Sequence, residues 1–148
     1  MTGVPVIASR QNPQVKRLCA LRENADASAF FIEGLHFVPE IPDEAVTLLI
    51  TVNPELFAAQ IQRLLARGVA VVQVSAPVME KICGAGQTVA AVVKKENASL
   101  PDKLVLLDRL QDPGNMGTII RTAAAFGFGV LCGQGCANPY APKVVRSS

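Results

Sequence analysis

The sequence has few of the residues that build metal sites and disulfide frameworks. It contains four cysteines, one histidine and no tryptophan. Only Cys132 and Cys136 lie close together, and His36 stands far from both, so the four ligands of a tetrahedral zinc site are not available. We therefore predict no metal and no catalytic role for His36, and we interpret the cysteines as small core residues of a reduced protein.

Long apolar runs are also missing. No stretch approaches the roughly 20 apolar residues that a membrane-spanning helix needs, and no charged segment followed by an apolar stretch suggests export. Half of the residues (50%) are hydrophobic and 18% are charged, which indicates a packed core rather than disorder. We expect a folded, cytoplasmic protein.

Acidic residues are absent from two segments that carry cations. The first segment is 1–22, which contains Arg10, Lys16, Arg17 and Arg22. The second is 113–148, which contains Arg121, Lys143 and Arg146. The net charge is only +2, so it is the distribution of charge that favours a nucleic-acid partner. Two ordinary solvated segments are the alternative interpretation.

Over the first 95 residues, apolar patterns typical of strands and helices alternate. Short β-branched runs predict strands at 30–32, 47–52, 69–74 and 89–93. Helical spacing predicts helices at 12–22, from 54 to the residue before Gly68, and at 76–82, with a helical turn within 35–40. Asn53 is a suitable N-cap ahead of Pro54, and residues 23–29 form a polar loop. Alternation of this kind favours a small α/β domain.

A second part follows a polar segment. Residues 96–102 contain Pro101 and are predicted to be a linker between a domain at 1–95 and a part at 103–148. In that part we predict a strand at 104–107, a loop over 108–115, a helix of about ten residues that Gly127 ends, a strand at 129–132 and a helix beginning at 143. So short a part buries little core by itself, which suggests a fragment of a domain.

The stretch 108–127 carries the strongest chemical signal. It is predicted to be a strand, a Gly/Pro-rich turn and a helix, and the N–H groups at a helix N-terminus attract anions. Gly114 and Gly117 are interpreted as places where the backbone approaches a ligand closely. Arg121 is the single charge on the helix face that it shares with two threonines, and it suits a phosphate or a carboxylate. The alternative is that Arg121 is merely solvated and Asn115 caps the helix.

This stretch resembles the first conserved motif of the SpoU/TrmH family of RNA 2'-O-ribose methyltransferases, in the SPOUT superfamily. Residues 138–148 are similar to the segment that leads into the family's second motif. Residues 9–18 and 31–34 resemble the ribosomal-protein-like substrate-binding domain found before many of these catalytic domains. The first motif matches at Leu107-Asp108, Gln111–Asn115, Gly117-Thr118, Ile120–Ala123 and Phe126-Gly127.

The resemblance implies a fold and a set of functional residues. The fold is a small ribosomal-protein-like α/β domain followed by the start of a SPOUT α/β-knot domain. The resemblance also implies that Asn115 and Arg121 belong to the active site, where Arg121 activates the ribose 2'-hydroxyl or positions the adjoining phosphate. A guanidinium stays protonated to above about pH 12, so we favour electrostatic positioning over base catalysis. RNA binding is expected at Arg10, Lys16, Arg17 and Arg22.

The resemblance also implies S-adenosylmethionine as the methyl donor, ribosomal or transfer RNA as the substrate, and a homodimer. In this superfamily the donor is held in a C-terminal knot built mainly from the later motifs, which this sequence does not contain. We therefore expect the 148-residue chain to bind the donor poorly and not to methylate RNA. Two alternatives stay open: an RNA-binding module without catalysis, and a small-ligand α/β protein with no role in RNA.

Overall fold

The computed structural model describes residues 6–23, 28–96 and 99–148. Part of the predicted loop at 23–29 and part of the predicted linker at 96–102 lie outside these described residues. The chain divides into two compact units, Met1–Lys95 and Glu96–Ser148, and each is described by itself. We call them the first unit and the second unit.

The first unit is built on a mixed five-stranded sheet. Its strands are β1 (Val6–Ile7), β2 (Ala29–Glu33), β3 (Val46–Thr51), β4 (Ala70–Val74) and β5 (Val89–Lys94). The spatial order is β1-β4-β3-β5-β2, with β4 parallel to both β1 and β3, and with β5 antiparallel to both β3 and β2. The helices are α1 (Pro13–Glu23), α2 (Ala58–Ala66) and α3 (Ala76–Cys83), and 3-10 turns occupy Val38–Glu40 and Pro54–Phe57.

Helices cover both faces of this sheet because neighbouring strand residues point to opposite sides. In β3, Ile50 joins an apolar cluster with α1 and α3, whereas Leu49 joins a second cluster with α2. Met79 of α3 is fully buried in the first of these clusters. Burial on both faces explains why the strands are continuous apolar runs rather than alternating ones.

Asn53 occupies an N-cap position followed by Pro54, as predicted, but it precedes a 3-10 turn rather than α2. Its side chain makes no capping hydrogen bond, and Pro54–Phe57 form a 3-10 turn before α2 begins at Ala58. Instead, the Thr51 hydroxyl accepts a hydrogen bond from the Asn53 backbone N–H at 3.1 Å. The chain therefore leaves β3 through a turn that is held by a threonine hydroxyl.

The second unit contains two parallel strands and two helices. These are β6 (Leu104–Leu107), β7 (Gly129–Cys132), α4 (Pro113–Ala125) and α5 (Pro142–Ser147). Both strand predictions are confirmed, and Gly127 ends α4 with a φ of +71°, which suits a glycine after a helix. Three fully or nearly fully buried apolar residues form the centre of this unit: Leu107, Met116 and Val144.

Helix α4 begins earlier than predicted, within the stretch that was expected to be a loop. Asp112 is its N-cap: one carboxylate oxygen accepts a hydrogen bond from the Asn115 backbone N–H at 2.6 Å. Pro113 takes the first helical position, where a missing N–H costs nothing. The alternative in which Asn115 caps the helix is therefore wrong, since Asn115 lies inside the first turn. Among the described residues, no helix has the length and hydropathy needed to cross a membrane.

Candidate functional site

The loops that follow β6 and β7 are bonded to each other at one edge of the second unit. Parallel strands bring their carboxyl ends to the same edge, which is where ligands bind in open α/β sheets. The Leu107 carbonyl accepts hydrogen bonds from the Gly133 N–H at 2.8 Å and from the Cys136 thiol at 3.3 Å. The Ala137 N–H donates to the Leu110 carbonyl at 2.8 Å. These bonds fix the edge from which α4 begins.

Gly117 serves helix packing. A Cβ at this position would lie 2.7 Å from the Val144 carbonyl of α5 and would also overlap the Ser147 hydroxyl. Ser147 donates to the Lys143 carbonyl at 2.8 Å and lies 3.4 Å from the Pro113 carbonyl. The interpretation that Gly117 lets the backbone approach a ligand is therefore wrong, because α5 fills the space in which a side chain at this position would lie.

Arg121 lies on the exposed face of α4. The neighbouring hydroxyls of Thr118 and Thr122 donate back to the helix, to the Gly114 carbonyl at 3.0 Å and to the Thr118 carbonyl at 2.8 Å respectively. Within residues 6–23, 28–96 and 99–148, no hydrogen bond or ion pair engages the Arg121 guanidinium. Its charge is therefore available to a partner from outside the unit.

Asn115 and Arg121 do not form one cluster on the helix alone. They are six positions apart, which corresponds to about 9 Å along the axis and about 120° around it. The Asn115 side chain is exposed, while its backbone N–H is held by Asp112. The structure thus places both predicted catalytic residues on α4, with Asn115 at the carboxyl edge of the sheet and Arg121 nearly two turns further on.

An open apolar groove of about 470 Å³ runs along α4. Lys103 stands near it, with its ammonium 5.6 Å from the centre of the Phe128 ring. Phe126, directly after α4, is 75% exposed although its side chain is apolar. The groove is lined by Val105, Thr118, Ile119, Thr122, Ala123, Phe126 and Phe128.

In the first unit, two of the four predicted RNA-binding cations are exposed on α1. Lys16 and Arg17 are exposed, and in the described part of the chain no hydrogen bond or ion pair engages either side chain. Arg10 is tied to α3: its Nε donates to the Pro77 carbonyl at 3.0 Å, and its guanidinium lies 3.8 Å from the Glu80 carboxylate. Arg10 remains more than half exposed, so it keeps room for a further contact.

Arg22 has a different environment. Its guanidinium donates to both carboxylate oxygens of Glu33, at 2.9 and 3.3 Å, and to the Cys83 carbonyl at 3.0 Å. The hydrogen bond to Glu33 raises the pKa of Arg22, and burial raises the pKa of the neighbouring Cys83 thiol to about 12. Arg22 therefore joins α1 to β2 and to the end of α3. Sequence reasoning had grouped it with the free cations because Glu33 is eleven residues away.

Two family models match the chain. The model of the SpoU rRNA Methylase family matches residues 102–148, and the model of the MRM3-like substrate binding domain matches residues 12–91, which is more than half of the chain. The chain therefore belongs to the family defined by the MRM3-like substrate binding domain, and its residues 102–148 match the SpoU rRNA Methylase family. The resemblance stated from the motif residues and the α/β fold class are thereby confirmed.

Curated relatives are similar either to nearly the whole chain or to about a third of it. The 23S rRNA (guanosine(2553)-2'-O)-methyltransferase RlmP of Bacillus subtilis is 32% identical over 151 residues, an alignment that covers 96% of this chain and 60% of the relative. The human mitochondrial rRNA methyltransferase 3 is 50% identical over 50 residues, which cover 33% of this chain and 12% of the relative.

Solved structures are similar over nearly the whole chain. An rRNA methyltransferase from Sinorhizobium meliloti superposes with a TM-score of 0.76 at 30% identity, over 97% of this chain and 60% of that one. The SpoU methyltransferase AviRb from Streptomyces viridochromogenes, solved in complex with the cofactor AdoMet, has a TM-score of 0.67 at 27% identity, over 93% and 58%. The chain thus spans about 60% of the length of such relatives.

Proposed function

We propose that these residues belong to an S-adenosylmethionine-dependent methyltransferase that modifies a ribose 2'-hydroxyl of ribosomal or transfer RNA. The observation that carries the proposal is Arg121, an exposed arginine without a partner among the described residues, in the segment that matches the SpoU family. The RlmP relative is named as a 2'-O-methyltransferase of 23S rRNA. The homodimer and the cytoplasmic location expected from the sequence stay predictions.

Arg121 acts on the acceptor side of the proposed reaction. A guanidinium is a poor base, so we assign Arg121 the electrostatic positioning of the phosphate beside the reacting ribose. Asn115 supports the first turn of α4, where its backbone N–H already binds Asp112. Both residues lie on a regular helix rather than on a loop, which favours accurate placement of the acceptor.

We assign the described residues of the second unit to the acceptor side of the reaction, and not to a complete donor site. The groove along α4 is lined mostly by apolar side chains, whereas S-adenosylmethionine, which supplies the methyl group, carries polar and charged groups that need partners when they are buried. We propose that the remaining length found in the relatives supplies the donor site.

The first prediction concerns this separation of the donor site from the acceptor site. Calorimetric titration of S-adenosylmethionine into the 148-residue chain is expected to give no micromolar binding. Fusion to the C-terminal part of the Bacillus subtilis relative is expected to restore both donor binding and methyl transfer, because transfer requires donor and acceptor in near-attack geometry.

In that fusion, Arg121→Ala is expected to lose transfer and keep donor affinity, whereas the control Arg67→Ala on the first unit keeps both. Micromolar donor binding by the 148-residue chain itself would overturn the proposed division. Unchanged methyl transfer in Arg121→Ala would contradict the role of Arg121 in positioning the acceptor RNA.

The second prediction concerns RNA binding by the first unit. We propose that Lys16 and Arg17 contact phosphates, that Arg10 adds to the same surface, and that Arg22 supports α1 through Glu33. Binding of labelled 23S rRNA fragments is expected to weaken steeply with salt, and Lys16→Ala/Arg17→Ala is expected to lower the salt slope by about two.

The control is Arg67→Ala, which removes an exposed cation at the C-terminal end of α2. Equal affinity and slope in the control and in the double variant would argue against the α1 surface. RNA binding without any transfer in the fusion protein would favour the second candidate function, an RNA-binding module without catalysis.

A further inference from the structure

Arg109, directly after β6, has an unusual backbone conformation. Its φ is +52°, and it is the single non-glycine residue with a positive φ among residues 6–23, 28–96 and 99–148. A residue with a Cβ is disfavoured there because the Cβ approaches the carbonyl oxygen, and glycine or asparagine adopts this conformation at lower cost. Non-glycine residues in this conformation often lie at functional sites, where the surrounding structure holds them in place.

The loop after β7 supports the side chain of Arg109. A Cβ at Gly135 would lie 3.1 Å from Arg109 Cγ and 3.7 Å from Arg109 Cβ, so the arginine stem lies directly against the glycine backbone. The next residue, Leu110, accepts the hydrogen bond from the Ala137 N–H at 2.8 Å. Both loops at the carboxyl edge of the sheet therefore hold the base of this side chain.

The charged end of Arg109 is exposed to solvent. Its side chain is 79% exposed, and its Nε lies 3.5 Å from a carboxylate oxygen of Asp108, which is itself 70% exposed. An exposed pair of this kind contributes little stability and exchanges readily for another anion. From Asp108 to Ser148 the chain carries four cations and two acids. The guanidinium fork matches the geometry of a phosphate.

We propose that Arg109 is a further RNA-contacting residue, which binds a backbone phosphate at the carboxyl edge of β6 and β7. The proposal rests on the proposed function. It places the phosphate contact at the edge where α4 begins and where Asn115 lies in its first turn, so that one strand of RNA is held close to the predicted acceptor site. The disfavoured backbone conformation at Arg109 presents the guanidinium at this edge.

The test is RNA binding by the full chain, measured with labelled 23S rRNA fragments at two salt concentrations. Arg109→Ala and Arg109→Gly are expected to weaken binding about three- to tenfold and to lower the salt slope by about one. Arg109→Lys retains part of the affinity. Asp108→Asn is expected to bind as well as the wild type or better, because it removes the carboxylate that competes with the phosphate.

Thermal melting separates this role from a structural one. Arg109→Gly relieves the disfavoured φ and is expected to melt no lower than the wild type. A lower melting temperature in Arg109→Gly, or weaker RNA binding in Asp108→Asn, would show that the Asp108 pair is structural and would overturn the inference.

Unchanged RNA affinity in Arg109→Gly, with salt-dependent binding by the wild type, overturns the inference and leaves the proposed function standing. Failure of the wild type to bind RNA at all contradicts the proposed function itself.

Discussion

At the scale of single residues, the pair of Arg22 and Glu33 sets the environment of α1. Glu33 is buried, and Arg22 supplies two hydrogen bonds to its carboxylate while the Arg22 side chain stays 27% exposed. Removal of Arg22 takes two hydrogen bonds from the buried Glu33 carboxylate, and the loss of one member of a buried pair costs more than the pair contributes as a whole. A cation that the sequence alone assigns to RNA binding therefore has a structural task.

The third prediction follows from this pair. Arg22→Ala is expected to lower the free energy of unfolding by about 2–3 kcal/mol, below the range for fully buried pairs because Arg22 is partly exposed. Urea unfolding followed by circular dichroism measures the loss. The control Arg17→Ala, on the same helix and without a hydrogen bond or ion pair among the described residues, is expected to stay within about 0.5 kcal/mol of the wild type. Equal losses in the two variants would contradict the structural role.

Several residue roles were beyond sequence reasoning because they depend on contacts between distant segments. Asn53 and Asn115 are both good capping residues by type, yet Thr51 and Asp112 form the hydrogen bonds at those turns. The Asp112-Pro113 pair was a readable signal for the start of α4. Nothing in the sequence near Arg22 points to Glu33, which reaches it only when β2 folds beside α1.

At the scale of elements, strand and helix positions were predicted well wherever apolar runs end at glycine or proline. In the second unit, Gly127 gave the C-terminal end of α4, and the apolar runs gave the bounds of β6 and β7. The role of Gly117 was not accessible, since it depends on how closely α5 approaches α4. The local sequence pattern determines where helices and strands lie. The packing between helices determines at which positions, such as Gly117, a larger residue does not fit.

The fourth prediction tests that packing. Alanine at position 117 raises intrinsic helix propensity by up to about 1 kcal/mol, yet its Cβ would lie 2.7 Å from the Val144 carbonyl. We expect Gly117→Ala to destabilise the second unit by about 1–3 kcal/mol, as overpacking does. Loss of protection at the α5 amides of Val145 and Ser148 in hydrogen exchange is the measurement. Thr122→Ala, on the exposed face of α4, is the control.

A stable or better protected α5 in Gly117→Ala would mean that the helices separate without cost, and the close approach would then have no energetic importance. The same result in both variants would equally contradict a specific role for Gly117.

At the scale of the whole molecule, the two units differ in how much core they contain. The first unit buries two apolar clusters, one on each face of its sheet, whereas the second has three buried apolar residues at its centre. Several large apolar side chains of the second unit are exposed, among them Leu106 and Phe126. A small core gives low resistance to local opening.

The fifth prediction is therefore a difference in hydrogen exchange within one chain. Amides of β6, β7 and α4 are expected to exchange faster than those of β3 and β5, measured by mass spectrometry on the same sample. Equal or greater protection of the second unit would show that its few buried contacts are sufficient for a stable fold. Since both sets of amides are measured together, differences in buffer or temperature do not enter.

The two fully buried methionines make the local opening of each unit detectable by oxidation. Met79 lies in the core of the first unit and Met116 in that of the second, and the chain's other methionine is Met1. A thioether is oxidised to the sulfoxide only when peroxide reaches it. The rate of sulfoxide formation at Met79 therefore reports the opening of the first unit, and the rate at Met116 reports the opening of the second. The ratio of the two sulfoxides, measured in one peptide map, shows which unit opens more often.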